Sequence, residues 1–130
     1  MMDEELLGKL SEAIKQAAIV PFRDVRFQDG TAPSPNKCHE NVGAWIQQNP
    51  QDRPVNGWLV SGLIIHRHSV VEGHDGQLFD ITPLDCRVRF FVRHPGTDDK
   101  FWSLPPQVHL VGNFELDQHP QNCVDKAEWG

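Results

Sequence analysis

The chain of 130 residues lacks several features that mark whole classes of protein. It contains no segment long and apolar enough to span a membrane, and no Gly-rich phosphate loop or dinucleotide-binding fingerprint. Its first residues, Met1 to Glu5, have neither the basic start nor the apolar run of a secretory signal. We therefore expect no membrane partner, no cofactor and a cytoplasmic location, while export by a route without a signal peptide stays open.

Positive charge and cysteine are both scarce. Twelve Lys and Arg residues face 18 Asp and Glu, and the net charge of -6 argues against a nucleic-acid partner, because phosphate binding depends on basic side chains. A small basic patch of Arg87, Arg89 and Arg93 stays open, but alternation along a strand explains these residues more simply. The cysteines are odd in number and far apart (Cys38, Cys86 and Cys123), which fits reduced thiols better than a disulfide framework.

The length predicts a single domain over residues 1–130. Within it we expect a helix and a long connector over 1–36, a core over 37–117 and a weakly structured tail over 118–130. The connector contains three prolines and one glycine, and long ordered loops are often functional.

Two helices are predicted before residue 50. Leucine, isoleucine and alanine recur at helical spacing over residues 3–19. A second helix is predicted over 37–48, capped by Ser34 or Asn36 and ended by Asn49 and Pro50.

From residue 55 onward the pattern predicts strands. One stretch runs through 57–65 to 72 with a bend or bulge near Gly62 or Arg67, and a turn follows at 73–76. Further strands are predicted over 78–82, 86–92, 108–111 and 114–116. Helices followed by strands indicate an α+β fold, with the N-terminal helices packed on an antiparallel sheet of four to six strands.

Cys38 stands at the predicted start of the second helix. A thiol is nucleophilic as its thiolate, and a helix N-terminus offers a positive dipole end and free backbone N–H groups. The same N–H groups can hold the oxyanion that forms when a thiolate attacks a carbonyl. Asn36 lies near enough in sequence to add a hydrogen bond, and Asn41 lies in the first turn.

His68 and Asp80 follow on neighbouring predicted strands. A histidine can move the proton of the thiol, and a carboxylate can orient the histidine. Because side chains alternate along a strand, the two groups share a face only if the turn at 73–77 has an odd number of residues, so that residue 70 lies opposite residue 80. Gly76 suits the left-handed position of such a turn.

The order Cys38, His68, Asp80, with the cysteine opening a helix and the other two on successive strands, resembles the transglutaminase-like and papain-like cysteine enzymes. The resemblance covers roughly residues 34–83. It implies a papain-like or transglutaminase-like core in which Cys38 is the nucleophile, His68 the base and Asp80 its orienting group. The implied enzyme is a thiol hydrolase or acyltransferase acting on a peptide, amide or thioester substrate. His39 departs from the residue that follows the cysteine in papain itself.

Other interpretations stay open from the sequence. Trp58 is core, or it shields the His68–Asp80 pair from water. His66 and His68 share a strand face and, with Cys38 or His39, give a possible zinc site; a solvent-exposed His66 is the simpler interpretation. A noncatalytic binding domain with the same fold is a further alternative.

Overall fold

The computed structural model describes residues 4–85 and 88–110. Over these ranges, helices pack against a six-stranded antiparallel sheet, which confirms the α+β class. None of the described helices is long and apolar enough to cross a membrane. The elements are α1 Glu4–Ala13, β1 Ala18–Ile19, α2 Cys38–Gln48, β2 Arg53–Ser61, β3 Ile64–Glu72, β4 Leu78–Phe79, β5 Phe90–Arg93, α3 Asp98–Ser103 and β6 Gln107–His109.

The first helix is shorter than the predicted 3–19. It ends at Ala13, continues as one 3₁₀ turn over Ile14–Gln16, and gives way to the edge strand β1. Ile14 is the last residue of its buried stripe, after Leu6 and Leu10. Beyond that point the backbone pairs with β5 instead, so that sheet pairing overrides the helical pattern of the sequence.

The turn before α2 fixes where that helix begins. Asn36 has a φ of 65°, the left-handed value that the residue after Pro35 needs in a type II turn. The N-cap is Lys37, which makes no side-chain capping hydrogen bond, so the predicted cap at Ser34 or Asn36 is wrong. The helix ends at Gln48 before Asn49, as predicted.

The long strand predicted through residue 72 is a hairpin. The chain reverses between Ser61 and Ile64, and β2 and β3 pair at nine consecutive positions. Gly62 has a φ of 63°, which suits the first position of a two-residue type II′ turn. The predicted bend at Gly62 is therefore a complete reversal.

The sheet has an interrupted edge beside β3. The strand order is β1-β5-β2-β3-β4, and β6 also pairs with β3. Strand β6 pairs with residues 64–66 and β4 with residues 71–72, so residues 67–70 lie between them. The strand predicted over 78–82 ends at Phe79, because Asp80 turns away to bridge Phe22.

The two faces of the sheet are buried by different groups. Trp58 and Ile65 pack with α1 and with Phe101 of α3, whereas Leu59 and Val70 pack with Phe91. Helix α3 was not predicted, because it is six residues long and buries Phe101 alone, too little for a periodic signal. The strand predicted over 114–116 and the tail 118–130 lie outside the described residues.

Candidate active site

Cys38 is the first residue of α2, where the N–H groups of the opening turn have no partner within the helix. Its side chain is 7% exposed and its thiol is free. Asn41 fastens this end of the helix: its Oδ1 accepts from the Ser34 N–H at 3.0 Å, and its Nδ2 donates to the Ser34 carbonyl at 2.8 Å and to Thr82 Oγ1 at 3.0 Å. The Asn41 side chain thus joins the connector, α2 and the segment after β4.

His68 and Asp80 form a fully buried pair, with His68 Nε2 2.7 Å from Asp80 Oδ2. Val71 lies opposite Phe79 and Glu72 opposite Leu78. Residues 73–77 therefore form an odd-length connection, which puts Asp80 on the strand face of His68. Gly76 has a φ of 85°. Both features of the turn predicted from the sequence are confirmed.

Arg89 is a member of this cluster that the sequence did not indicate. Its Nη1 lies 3.1 Å from Asp80 Oδ2 and donates to the Thr82 carbonyl at 2.8 Å, and the residue is 3% exposed. Because Arg89 is buried, it does not belong to the small basic patch that the sequence leaves open. The available signal was its position two residues before Phe91, because alternate residues of a strand share a face and Phe91 is buried.

The electrostatics of the cluster favour an ion pair between Cys38 and His68. Burial alone raises the pKa of the Cys38 thiol, but the positive charge of His68 and a hydrogen bond with His39 lower that pKa to about 6. Burial lowers the pKa of His68, but the charges of Asp80 and Cys38 raise it to about 10. At neutral pH the sulfur is therefore a thiolate and the ring carries the proton.

The coupling between Cys38 and His68 is mainly one of charge. Nδ1 of His68 makes no hydrogen bond of normal geometry to the described residues, although its Nε2 is held by Asp80. Burial raises the pKa of Asp80, but the charges of His68 and Arg89 and the N–H of Thr82 lower it below its usual value. Asp80 is therefore ionised and holds the ring through one nitrogen, leaving Nδ1 for proton transfer.

His39 is a second histidine beside the thiol, and it has no site role in the sequence interpretation except as a zinc ligand. Its Nδ1 pairs with Ser69 Oγ, which donates to Asn56 Oδ1 at 2.8 Å. Its ring meets the ring of Trp102 edge-on, with centroids 4.8 Å apart. This network holds the first turn of α2 against β3 and the end of α3.

Trp58 is a core residue, as one of its two interpretations predicts. Trp58 donates from Nε1 to His94 Nδ1 at 3.0 Å and packs on Phe101. Because Trp58 pairs with Arg67 and Gly57 pairs with His68, the indole lies on the face opposite to His68, so the shielding interpretation is wrong. Asn36 is placed by its backbone, whose N–H donates to the Pro83 carbonyl at 3.4 Å.

The residues considered for zinc do not assemble. His66 and His68 share a strand face as predicted, but His66 is 1% exposed, so its interpretation as a solvent-exposed residue is wrong. Burial, with the charges of His109 and His68, lowers the pKa of His66 to about 4. The described ranges contain no group of three or more His, Cys, Asp or Glu side chains placed to hold a metal ion.

A large groove lies away from Cys38. It has a volume of about 1030 Å³ and runs between α1, the edge strand β1, the end of β5 and the turn before β4. Ile19, whose side chain is 62% exposed, lies on its wall.

Comparison with known proteins adds no relative: no family model, no curated protein and no solved structure matches this chain.

Proposed function

We propose that this protein is a cysteine-dependent hydrolase or acyltransferase that acts on an amide or thioester carbonyl. The observation that carries the proposal is geometric: a free thiol opens α2, and the histidine whose charge acts on it is held by Asp80 at 2.7 Å. The charge of this histidine lowers the pKa of the thiol to about 6, which supports the proposal. A thiolate at neutral pH, a protonated ring and an orienting carboxylate are the parts that nucleophilic thiol catalysis needs.

The proposed reaction has two halves. The Cys38 thiolate attacks the carbonyl carbon, a C–S bond forms, and the backbone N–H groups at the start of α2, with the Asn36 side chain, stabilise the negative oxygen. His68 gives its proton to the leaving amine or thiol as the original bond breaks. Water or an acceptor amine then loses a proton to His68 and displaces the sulfur, which releases the acyl group and restores the ion pair.

The alkylation rate of Cys38 by iodoacetamide from pH 5 to 10 tests this proposal, with the modified peptides separated by mass spectrometry. We expect the rate to reach half its plateau near pH 6. In His68→Ala, loss of the largest influence that lowers the pKa of Cys38 should move the midpoint upward from about 6 towards the ordinary value of 9.0. His74→Ala, which removes an exposed histidine, is the matched control and should leave the midpoint unchanged. A midpoint near 9 in the unmodified protein would contradict the proposal.

A noncatalytic binding domain is the second candidate, and the groove beside β1 favours it because the groove is large and lies away from the buried thiol. Ordinary reactivity of Cys38 in the folded protein would support this candidate. Under the enzymatic proposal we expect action in a reducing compartment such as the cytoplasm, because the nucleophile must remain a free thiol.

A further inference from the structure

An exposed aromatic ring and a cation lie beside the proposed nucleophile. Trp102, on the last turn of α3, is 47% exposed and contacts His39, the residue after Cys38. The guanidinium of Arg67 lies over the indole, with its carbon 5.2 Å from the ring centroid. Arg67 lies on the face of β3 opposite to His68, together with Ser69. Because Ser69 pairs with His39, the side chains of Arg67 and Trp102 border the Cys38 site from the side of His39.

Among residues 4–85 and 88–110, no carboxylate forms an ion pair with Arg67. Its Nη1 donates to the Leu104 carbonyl at 3.0 Å, and its Nε is buried without a hydrogen-bond partner in the described ranges. Burial lowers the pKa of Arg67 and the charge of Cys38 raises it, so the two groups lie close enough to interact. Partial burial removes some of the hydration of a cation, which costs free energy. Binding an anion offsets this cost when no carboxylate of the protein does so.

We propose that Arg67 and Trp102 form a subsite for a carboxylate of the substrate, next to the carbonyl that Cys38 attacks. A guanidinium matches the planar geometry of a carboxylate, and the indole supplies an apolar wall for the atoms between the two groups. This inference rests on the proposed function and narrows it: the substrate is an amide or thioester that carries a negative charge close to the reacting carbonyl.

Two alkylating reagents of nearly equal size test the subsite without knowledge of the substrate. Iodoacetate and iodoacetamide both lose iodide when the Cys38 sulfur forms a bond to their methylene carbon, and they differ in a carboxylate against a carboxamide. We expect the rate of iodoacetate divided by the rate of iodoacetamide at pH 7 to fall about tenfold in Arg67→Met. This is the smallest effect expected when a hydrogen bond between two charged groups is lost. The ratio should stay near its original value in Arg67→Lys, which retains the charge.

Arg93→Met is the matched control, because Arg93 is exposed and pairs with Glu72. An unchanged ratio in Arg67→Met would overturn the subsite, whether or not the two rates themselves change. If both reagents were slowed equally, Arg67 would act on the thiolate and not on the carboxylate of the reagent. Failure of the proposed function would give a separate result. In the unmodified protein, the pH dependence of Cys38 alkylation by iodoacetamide would then have its midpoint near pH 9.

If Arg67→Met does not fold, protection of Cys38 by a dicarboxylate in the unmodified protein tests the same subsite. Glutarate should slow the reaction of Cys38 with iodoacetamide at constant ionic strength, because one of its carboxylates occupies the Arg67 subsite. Its uncharged diamide should not. Equal protection by the two compounds, or no protection by glutarate, would overturn the subsite.

Discussion

Asp80 receives more contacts than its role as an orienting group for His68 requires. One of its carboxylate oxygens meets both His68 and Arg89, and the other accepts from the N–H of Thr82 at 3.0 Å. Burying this carboxylate is costly unless each of these partners is present. The same residue therefore links the proposed chemistry to the stability of the fold, and the two roles are separable by experiment.

Removing the charge of Asp80 should affect the thiol through His68. In Asp80→Asn the pKa of His68 falls, because its largest favourable partner is lost, and the pKa of Cys38 rises as the ring loses its proton. We expect the midpoint of iodoacetamide reaction to move upward from about 6 by at least one pH unit. Asp75→Asn, an exposed change in the neighbouring turn, should leave the midpoint in place. The orienting role is excluded if both variants titrate alike.

Removing Arg89 should affect stability. Arg89→Met leaves Asp80 buried with one cation fewer, and breaking a buried ion pair costs about 3–5 kcal/mol. Urea denaturation followed by tryptophan fluorescence measures the loss. Arg93→Met removes an exposed ion pair and should cost about 1 kcal/mol or less. Similar losses in the two variants would contradict a structural role for the buried arginine.

At the scale of single elements, Gly57 determines how closely β2 approaches β5. A Cβ built on Gly57 would lie 2.1 Å from the Val92 carbonyl oxygen and 2.5 Å from Cζ of Phe91. Gly57→Ala should therefore separate these strands and destabilise the protein by about 3 kcal/mol, the upper part of the range for overpacking.

Gly43→Ala is the matched control for Gly57→Ala. A Cβ on Gly43 meets nothing within 4 Å, so this change should stabilise α2 by about 0.5–1 kcal/mol. Thermal unfolding of the two variants measures both effects. Equal shifts in the melting temperature would show that the approach of β2 to β5 is not as close as the structure has it.

The sequence predicts those elements that have a strong local signal. The start and end of α2, the class of the fold and the odd turn before β4 follow from periodicity, from Asn49 and Pro50, and from the parity argument. The reversal at Gly62 and the helix α3 do not, because a single glycine and one buried phenylalanine give weak patterns. Pairing between distant segments explains the other differences, such as β1, which forms where the helical pattern continues.

The residues of the candidate site also divide into those with a local sequence signal and those placed by contacts between distant segments. Cys38, His68 and Asp80 are identified by residue type and order, with the strand face decided by the turn. Arg89 and the contact between His39 and Trp102 depend on segments far apart in sequence, and no periodic pattern reports such contacts. Their chemistry becomes visible only once the sheet order is known.

For the whole molecule, acid should reduce stability before most carboxylates take up protons. The folded-state pKa of His66 is lowered to about 4, from an ordinary value of 6.5, with His109 and His68 as its charged neighbours. Between these values the unfolded chain binds a proton at His66 that the folded protein does not. Stability therefore falls as pH falls, by up to about 1.4 kcal/mol per pH unit.

The free energy of unfolding, measured in urea from pH 4 to 7, checks this prediction. In His66→Leu the slope of the free energy of unfolding against pH should be smaller over this window. The decrease should correspond to close to one proton fewer taken up on unfolding. His74→Gln, a change at an exposed histidine, should retain the original slope. An unaltered slope in His66→Leu would show that another group causes the acid sensitivity.

The β2–β3 hairpin has a consequence for the order in which the site forms during folding. Its nine consecutive pairs join across a two-residue turn, so closing it costs little loop entropy, and hairpins form within about 1–10 μs. His68 is thus positioned by contacts local in sequence, whereas Cys38 and Arg89 reach it only when distant segments dock. The thiolate should consequently arise late in folding, and a partly folded chain carries a cysteine of ordinary, low reactivity at neutral pH.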